Sequence, residues 1–359
     1  MHFRNFSIAV AAGALALPLV AQADGLTLYG EVHLSADIAH DGDRRSEFLA
    51  SRGSLLGITG SEYLGAGLTG LFQYETEVHL TAGGDGLFGA GENAFVGLDG
   101  AFGTVLAGHM EDPLFVAIDD LQMFVDRVGD AHLFGATPGN NEFQENVLVY
   151  LSPELNGFSL TAMYGPRQGT ARGDLWVAHG QFDGELGDGN LYAGLSYLQA
   201  NQGRVDELFD LSPGDEGFGE WKHKLYQLAL GYERPDVWRG FAFYQCYQST
   251  DVAPLEDDRV FGVGVGVLAR PDVELLAQVT RYDADASRSD STLYAVGADY
   301  FITDRTTLYA AYAMSRNQRN ADRLPTEPDY YGADDESRGV NVAQGDNAWA
   351  VSLGVKHAF

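Results

Sequence analysis

From Leu26 to Ile38 the chain alternates. Leu26, Leu28, Gly30, Val32, Leu34, Ala36 and Ile38 fall on one side of an extended strand, and Thr27, Tyr29, Glu31, His33, Ser35 and Asp37 on the other. The same period of two returns at 47–60, 65–80, 91–99, 101–109, 143–151, 157–165, 173–183, 190–200, 221–233, 237–250, 258–270, 272–283, 290–302, 305–317 and 346–359. With 25–39 the pattern predicts sixteen strands, an even number. Their connections alternate between tight ones, such as SEYLGAG, DGAFG, ERPDVW and TDR, and long ones at 110–142, 201–220 and 318–345. Short turns on one rim and long loops on the other are the signature of an antiparallel transmembrane β-barrel with periplasmic turns and extracellular loops.

The barrel reading decides which face meets what. A closed sheet of sixteen strands encloses a lumen too wide for side chains to fill, so the polar rows are expected to line water and the apolar rows to meet lipid. The last strand carries Trp349, Val351, Leu353, Val355, His357 and Phe359 on its apolar face. Left at an edge, it would present unpaired N–H and C=O groups. Paired with LTLYGEVHL near the other end, it closes the barrel, and its terminal aromatics suit the two interfacial girdles.

Residues 1–23 differ from everything after them. One early Arg4, an apolar run from Ile8 to Val20 and the sequence Ala21-Gln22-Ala23 read as a cleaved export signal, too short to span a bilayer. Residues 24–359 are expected to remain as a single barrel domain, bound for an outer membrane. The formal net charge of −29 argues against nucleic acid, whose affinity is built on neutralising phosphates. Cys246 is alone, so stability does not rest on an internal disulfide.

Several stretches together carry a family resemblance: LTLYGEVHLSAD, GITGSEYLGAGLTGLFQYE, AFVGLDGAFGTVLAGH, NVLVYLSPELNGFSLTAMYG and the terminal GVKHAF. They resemble the general diffusion porins of Gram-negative bacteria, of the proteobacterial and neisserial type. The likeness covers residues 26–165 and 290 onward, while the middle agrees only in pattern. It implies a homotrimer of sixteen-stranded barrels among outer-membrane lipids and lipopolysaccharide. It also implies a third loop folded into the pore as a constriction, and a C-terminal signal at Phe359, with Val355 and Leu353, read by the barrel insertion machinery.

The departures from that family point to mechanism. Where relatives carry basic residues on the wall facing the constriction loop, this chain has Leu55 and Thr59 in SLLGITG, Glu92 in ENAFVGL, His109 in GHM and Val149 in NVLVYLSP. The loop itself carries Glu111, Asp112, Asp119, Asp120, Asp126 and Asp130 against Arg127. Glu31, His33, Glu75, Glu77 and Arg52 are assigned to the lumen wall, and Arg52 and Arg127 are the residues that could restore a positive field. Carboxylate rows select for cations, so a cation-preferring passive channel for small hydrophilic solutes is expected. The plainer reading, that these acids are solvated loop charges, stays open.

Other chemistry is less well supported. His33 and His79 stand beside Glu31 and Glu77 without strict metal-ligand spacing, and are read as pore lining, with no metal assigned. GGDG at 83–86 occurs once and is read as a glycine-rich loop; no cofactor is expected beyond Ca²⁺ held loosely by acidic loops. Neither G-x-S-x-G nor a P-loop is present, so no enzyme activity is expected. A substrate-specific channel remains the main alternative, with an outer-membrane hydrolase or adhesin behind it.

Overall fold

The computed structural model describes residues 25–81, 87–132, 142–167, 174–201, 222–250, 257–326 and 341–359. The expected export signal at 1–23 and the GGDG stretch lie outside them. One antiparallel sheet begins with β1 (Gly25–His40), β2 (Arg45–Ser51), β3 (Leu55–Gly65), β4 (Leu68–Val78), β5 (Phe88–Gly100) and β6 (Gly103–Glu111). A helix, α1 (Pro113–Asp119), follows. The sheet resumes with β7 (Phe143–Leu151), β8 (Phe158–Gly165), β9 (Leu175–Leu186), β10 (Gly189–Asn201), β11 (Lys222–Arg234) and β12 (Trp238–Thr250). It ends with β13 (Arg259–Arg270), β14 (Val273–Asp283), β15 (Ser291–Thr303), β16 (Thr306–Asn317) and β17 (Ala348–Ala358).

Apart from β2 and β3, which do not pair with each other, each strand pairs with its sequence neighbours, and β17 returns to β1, so that His40 faces Trp349 and Glu31 faces Ala358. The N–H groups of Gly30 and Phe359 each donate to the other's carbonyl, at 3.3 and 3.0 Å. Closure leaves no edge to be satisfied in lipid. The seventeen segments make sixteen strands, because β2 and β3 share one edge of β1: Leu34–His40 pairs with β2, and Gly25–Glu31 with β3.

The predicted strand over 47–60 is therefore broken at Arg52–Ser54, and the break has a local cause. The Arg52 N–H donates to the His33 carbonyl at 2.9 Å, and Ser54 Oγ accepts from the His33 N–H at 2.9 Å. Gly53 sits at φ +48°, in the left-handed region that suits glycine. The bulge turns the Arg52 side chain into the barrel.

Outside, the apolar rows stand exposed, as lipid-facing rows must: Leu26 is 71% accessible and Val96 63%. Aromatics gather towards both strand ends. Phe158 and Phe182 meet at 4.9 Å near the turn rim, and Tyr164 and Trp176 at 4.3 Å near the loop rim. Leu353 and Phe359 are exposed in this outer row.

Inside, the expectation of a uniformly water-lined lumen needs correction. Val147, Val149, Met163, Val177, Leu198 and Leu225 point inward and are buried. What covers them is the segment after β6, where Leu114, Ile118, Leu121, Met123, Phe124 and Val128 form one apolar cluster with that wall. The barrel therefore contains a core. The wide lumen argued against side chains filling it from the wall alone; a folded-in loop does so on one side.

Candidate pore constriction

The loop between β6 and β7 enters the lumen through a capped helix. Asp112 accepts the Leu114 N–H at 2.8 Å as N-cap, Pro113 occupies the first turn without needing a donor, and Leu114, Val116, Ala117 and Ile118 are buried. Asp112 is thus a buried cap, not an acid facing the pore. Gln227 Nε2 donates to the Leu114 carbonyl at 3.2 Å, tying the helix to β11.

Beyond the helix the loop runs along the inner wall of β14 to β16. Gln278 holds it from both sides, accepting the Met123 N–H at 2.8 Å and donating to the Gly129 carbonyl at 3.3 Å. Gly129, at φ +98°, fits where a Cβ would come within 2.7 Å of Ala295 Cβ; the wall offers only small residues there. Arg127 pairs with Asp299 at 2.6 Å and lies over the rings of Phe124 and Tyr309, at 5.1 and 4.9 Å. Its charge is neutralised in place. Arg52 likewise pairs with Asp37 at 2.6 Å and donates to Thr326 Oγ1 at 3.0 Å.

Thr326 belongs to a second inward element that the sequence pattern missed. Part of the connection after β16, read as a long external loop, turns into the barrel mouth. Its Pro325 carbonyl accepts the Gly129 N–H at 2.9 Å, and Arg323 lies over the Tyr282 ring at 3.5 Å.

The loop acids divide by role. Asp130 is buried and structural, accepting the N–H groups of Asp126 and His132 and the Gln122 amide, all within 2.8 to 2.9 Å. Asp119 accepts Gln122 Nε2 at 2.7 Å and lies 2.9 Å from His132, whose ring stacks on Phe115 at 3.5 Å. Asp120 is half-buried at the helix end. Glu111, Asp119 and Glu142 converge within 4.8 Å where the loop leaves and rejoins the wall. Desolvation inside the barrel, then repulsion from Asp119 and Asp126, raises Glu142 well above the usual carboxylate range. Desolvation also lifts Asp126 to about 7, against the pull of Lys356.

Opposite stands the wall of β1 and β3 to β5. Register places Glu31 level with Leu55 and Leu55 level with Glu77, on one face with Glu75 and Thr59. Glu75 accepts the Tyr29 hydroxyl at 2.6 Å, Glu77 lies 3.1 Å from His79, and Thr59 Oγ donates to the Phe72 carbonyl at 3.1 Å. Glu92 is half-buried, and His109, also half-buried, lies 5.5 Å from the Phe143 ring. A cation that sequence reasoning left out of the lumen is Lys356 on β17, next to this wall, which pairs with Glu31 at 2.6 Å with its side chain 30% accessible. The alternation of β17 already put Lys356 on the polar face, so the signal was available. The geometry is thus an acidic loop facing an acidic wall, with the buried arginines neutralised.

A closed sixteen-stranded barrel with a loop folded into its lumen defines the porin class. The profile of the Gram-negative porin family matches residues 8–320, and the chain belongs to that family. It is similar to the major outer membrane protein P.IB of Neisseria sicca, 25% identical over 336 residues, covering 86% of this chain and 93% of that one. The major outer membrane protein P.IA of Neisseria meningitidis serogroup C is 29% identical over 267 residues, covering 61% and 68%. Among solved structures, an anion-selective porin from Comamonas acidovorans superposes with a TM-score of 0.73 at 21% identity, over 93% of this chain and 99% of that one. The trimer form of OmpT from Vibrio cholerae gives 0.64 at 14% identity, over 94% and 100%. This chain is an outer-membrane porin.

Proposed function

We propose that the chain is a passive channel, and not an enzyme, passing small hydrophilic solutes and preferring cations to anions. The observation that carries this reading is the juxtaposition of Glu31, Glu75, Glu77 and Glu92 on the wall with Asp119, Asp126 and Glu142 on the loop, while Arg52 and Arg127 are consumed in buried pairs. A narrow aqueous path bounded by low-dielectric material strengthens such a field, and salt screens it over about 8 Å at physiological ionic strength. The Comamonas protein, described as anion-selective, shares the fold, so the proposed preference rests on this chain's side chains and draws no support from the architecture.

The zero-current potential of the refolded protein in a planar bilayer across a KCl gradient tests this. A potential of the sign for K⁺ over Cl⁻ is expected; the opposite sign, with channels open, overturns the preference and leaves the porin. Assembly as a homotrimer is part of the proposal, supported by the trimeric neighbour and the apolar outer face. So are contacts with lipid and lipopolysaccharide, export by the 1–23 segment, and recognition of Phe359, Val355 and Leu353 during insertion. Loose Ca²⁺ on acidic loops would show as a Ca²⁺-dependent rise in melting temperature.

A further inference from the structure

Beside the acidic channel, loop and wall meet at a place with different chemistry. His33, on the lumen side of β1, is 1% accessible. Its Nε2 lies 2.9 Å from the Tyr309 hydroxyl, and its Nδ1, also buried, has no hydrogen-bond partner among the described residues. A ring nitrogen of His33 and carboxylate oxygens of Glu31 and Asp126 all lie within 4.8 Å of one another. A buried imidazole nitrogen without a partner loses its hydration for nothing in return, unless something else occupies it.

We propose that Glu31, His33 and Asp126 form a site for a borderline transition-metal dication, with Zn²⁺ as its probe, that fastens the constriction loop to the first strand. One imidazole and two carboxylates match such an ion, whereas Ca²⁺ and Mg²⁺ favour sets made of oxygen alone. The site requires the tautomer in which Nε2–H donates to the Tyr309 oxygen and the Nδ1 lone pair is free, the outer-shell arrangement usual for a metal-bound histidine. Bonds of about 2.1 Å require the donors to draw together by roughly 1 to 1.5 Å. Asp126 can supply this by side-chain rotation, since its N–H is held separately by Asp130 at 2.8 Å. Lys356 is the competitor. Its ammonium holds Glu31 at 2.6 Å, and an ion must displace it, which weakens binding.

That competition supplies the test. The detergent-solubilised full chain is titrated with ZnCl₂ by calorimetry, a readout independent of ion preference or channel opening. One Zn²⁺ per chain is expected, with His33→Gln and Asp126→Asn each weakening binding by at least about tenfold. Lys356→Met, which removes a group that is not a ligand, is expected to tighten it. Absence of binding up to millimolar Zn²⁺ overturns the proposal. So does wild-type affinity in folded His33→Gln, which would place the ion at Glu111, Asp119 and Glu142. In bilayers, saturating Zn²⁺ is expected to reduce current noise or conductance reversibly with EDTA; unchanged currents overturn the fastening role, whereas channels that never open count against the porin reading instead.

Discussion

The two halves of the lumen are built from the same alternation and do opposite things. On β1 and β3 to β5, inward positions hold Glu31, Glu75, Glu77 and Glu92; on β7 to β11 they hold Val147, Val149, Met163, Val177 and Leu225. The first half keeps Glu31, Glu77 and Glu92 partly accessible, with Glu75 buried against the Tyr29 hydroxyl, and the second is covered by the loop. Strand periodicity tells which residues point inward; it does not tell what they will find there. In this porin the constriction is held by a hydrophobic core and two neutralised arginines, so those arginines do not offset the acids on the open side, where Lys356 pairs with Glu31 and His79 lies beside Glu77.

The comparison can be broken first on the dry side. Arg127→Met leaves Asp299 buried without its partner, and loss of such a pair costs about 3 to 5 kcal/mol. The expected result is an undocked loop, read as higher and noisier single-channel conductance and a lower urea midpoint. Ile118→Ala, at a fully buried position, is expected to weaken docking by about 2 to 5 kcal/mol with the same readouts. Asp112→Ala removes the cap of α1 at about 1 kcal/mol, a shift visible in the denaturation midpoint but not in selectivity.

On the wet side the sign reverses: selectivity moves and stability does not. Glu92→Gln is expected to shift the zero-current potential towards Cl⁻, most at low salt, with an unchanged midpoint; a large loss of stability instead would mean that Glu92 is structural. The smallest effect is pH. Because Glu142 is raised above its ordinary range, its neutral form persists to higher pH than usual, and cation preference should decline as pH falls from neutral. The folding linkage runs the other way. A carboxyl raised in the native state favours folding below its unfolded value of about 4.3, and that contribution is lost as pH rises through the raised value.

Much of this was legible because strand period and turn spacing are local signals. Closure between Leu34 and Val355, the inward rows of Glu31 and Glu75, and the acidic loop all follow from alternation plus family likeness. The dry half was written less plainly. NVLVYL is apolar on both faces, as strands covered on both sides are, and in a barrel that asks for a lid inside. The break at Arg52 had a hint in Gly53-Ser54. Pairing of Arg52 with Asp37, and of Arg127 with Asp299, depends on positions 15 and 172 residues apart meeting in space, which no period encodes.

The seam between β1 and β17 has a kinetic consequence. Every other pairing in the wall joins strands adjacent in sequence and can zip locally, whereas His40 meets Trp349 only by closing a loop of roughly 310 residues, an entropic charge of about 5 kcal/mol on the simplest chain statistics. Until that step the chain is an open curved sheet with two hungry edges, and its lifetime in that form sets its exposure to misassembly. Changes in β17 should therefore be felt as slower completion before they are felt as a weaker finished barrel.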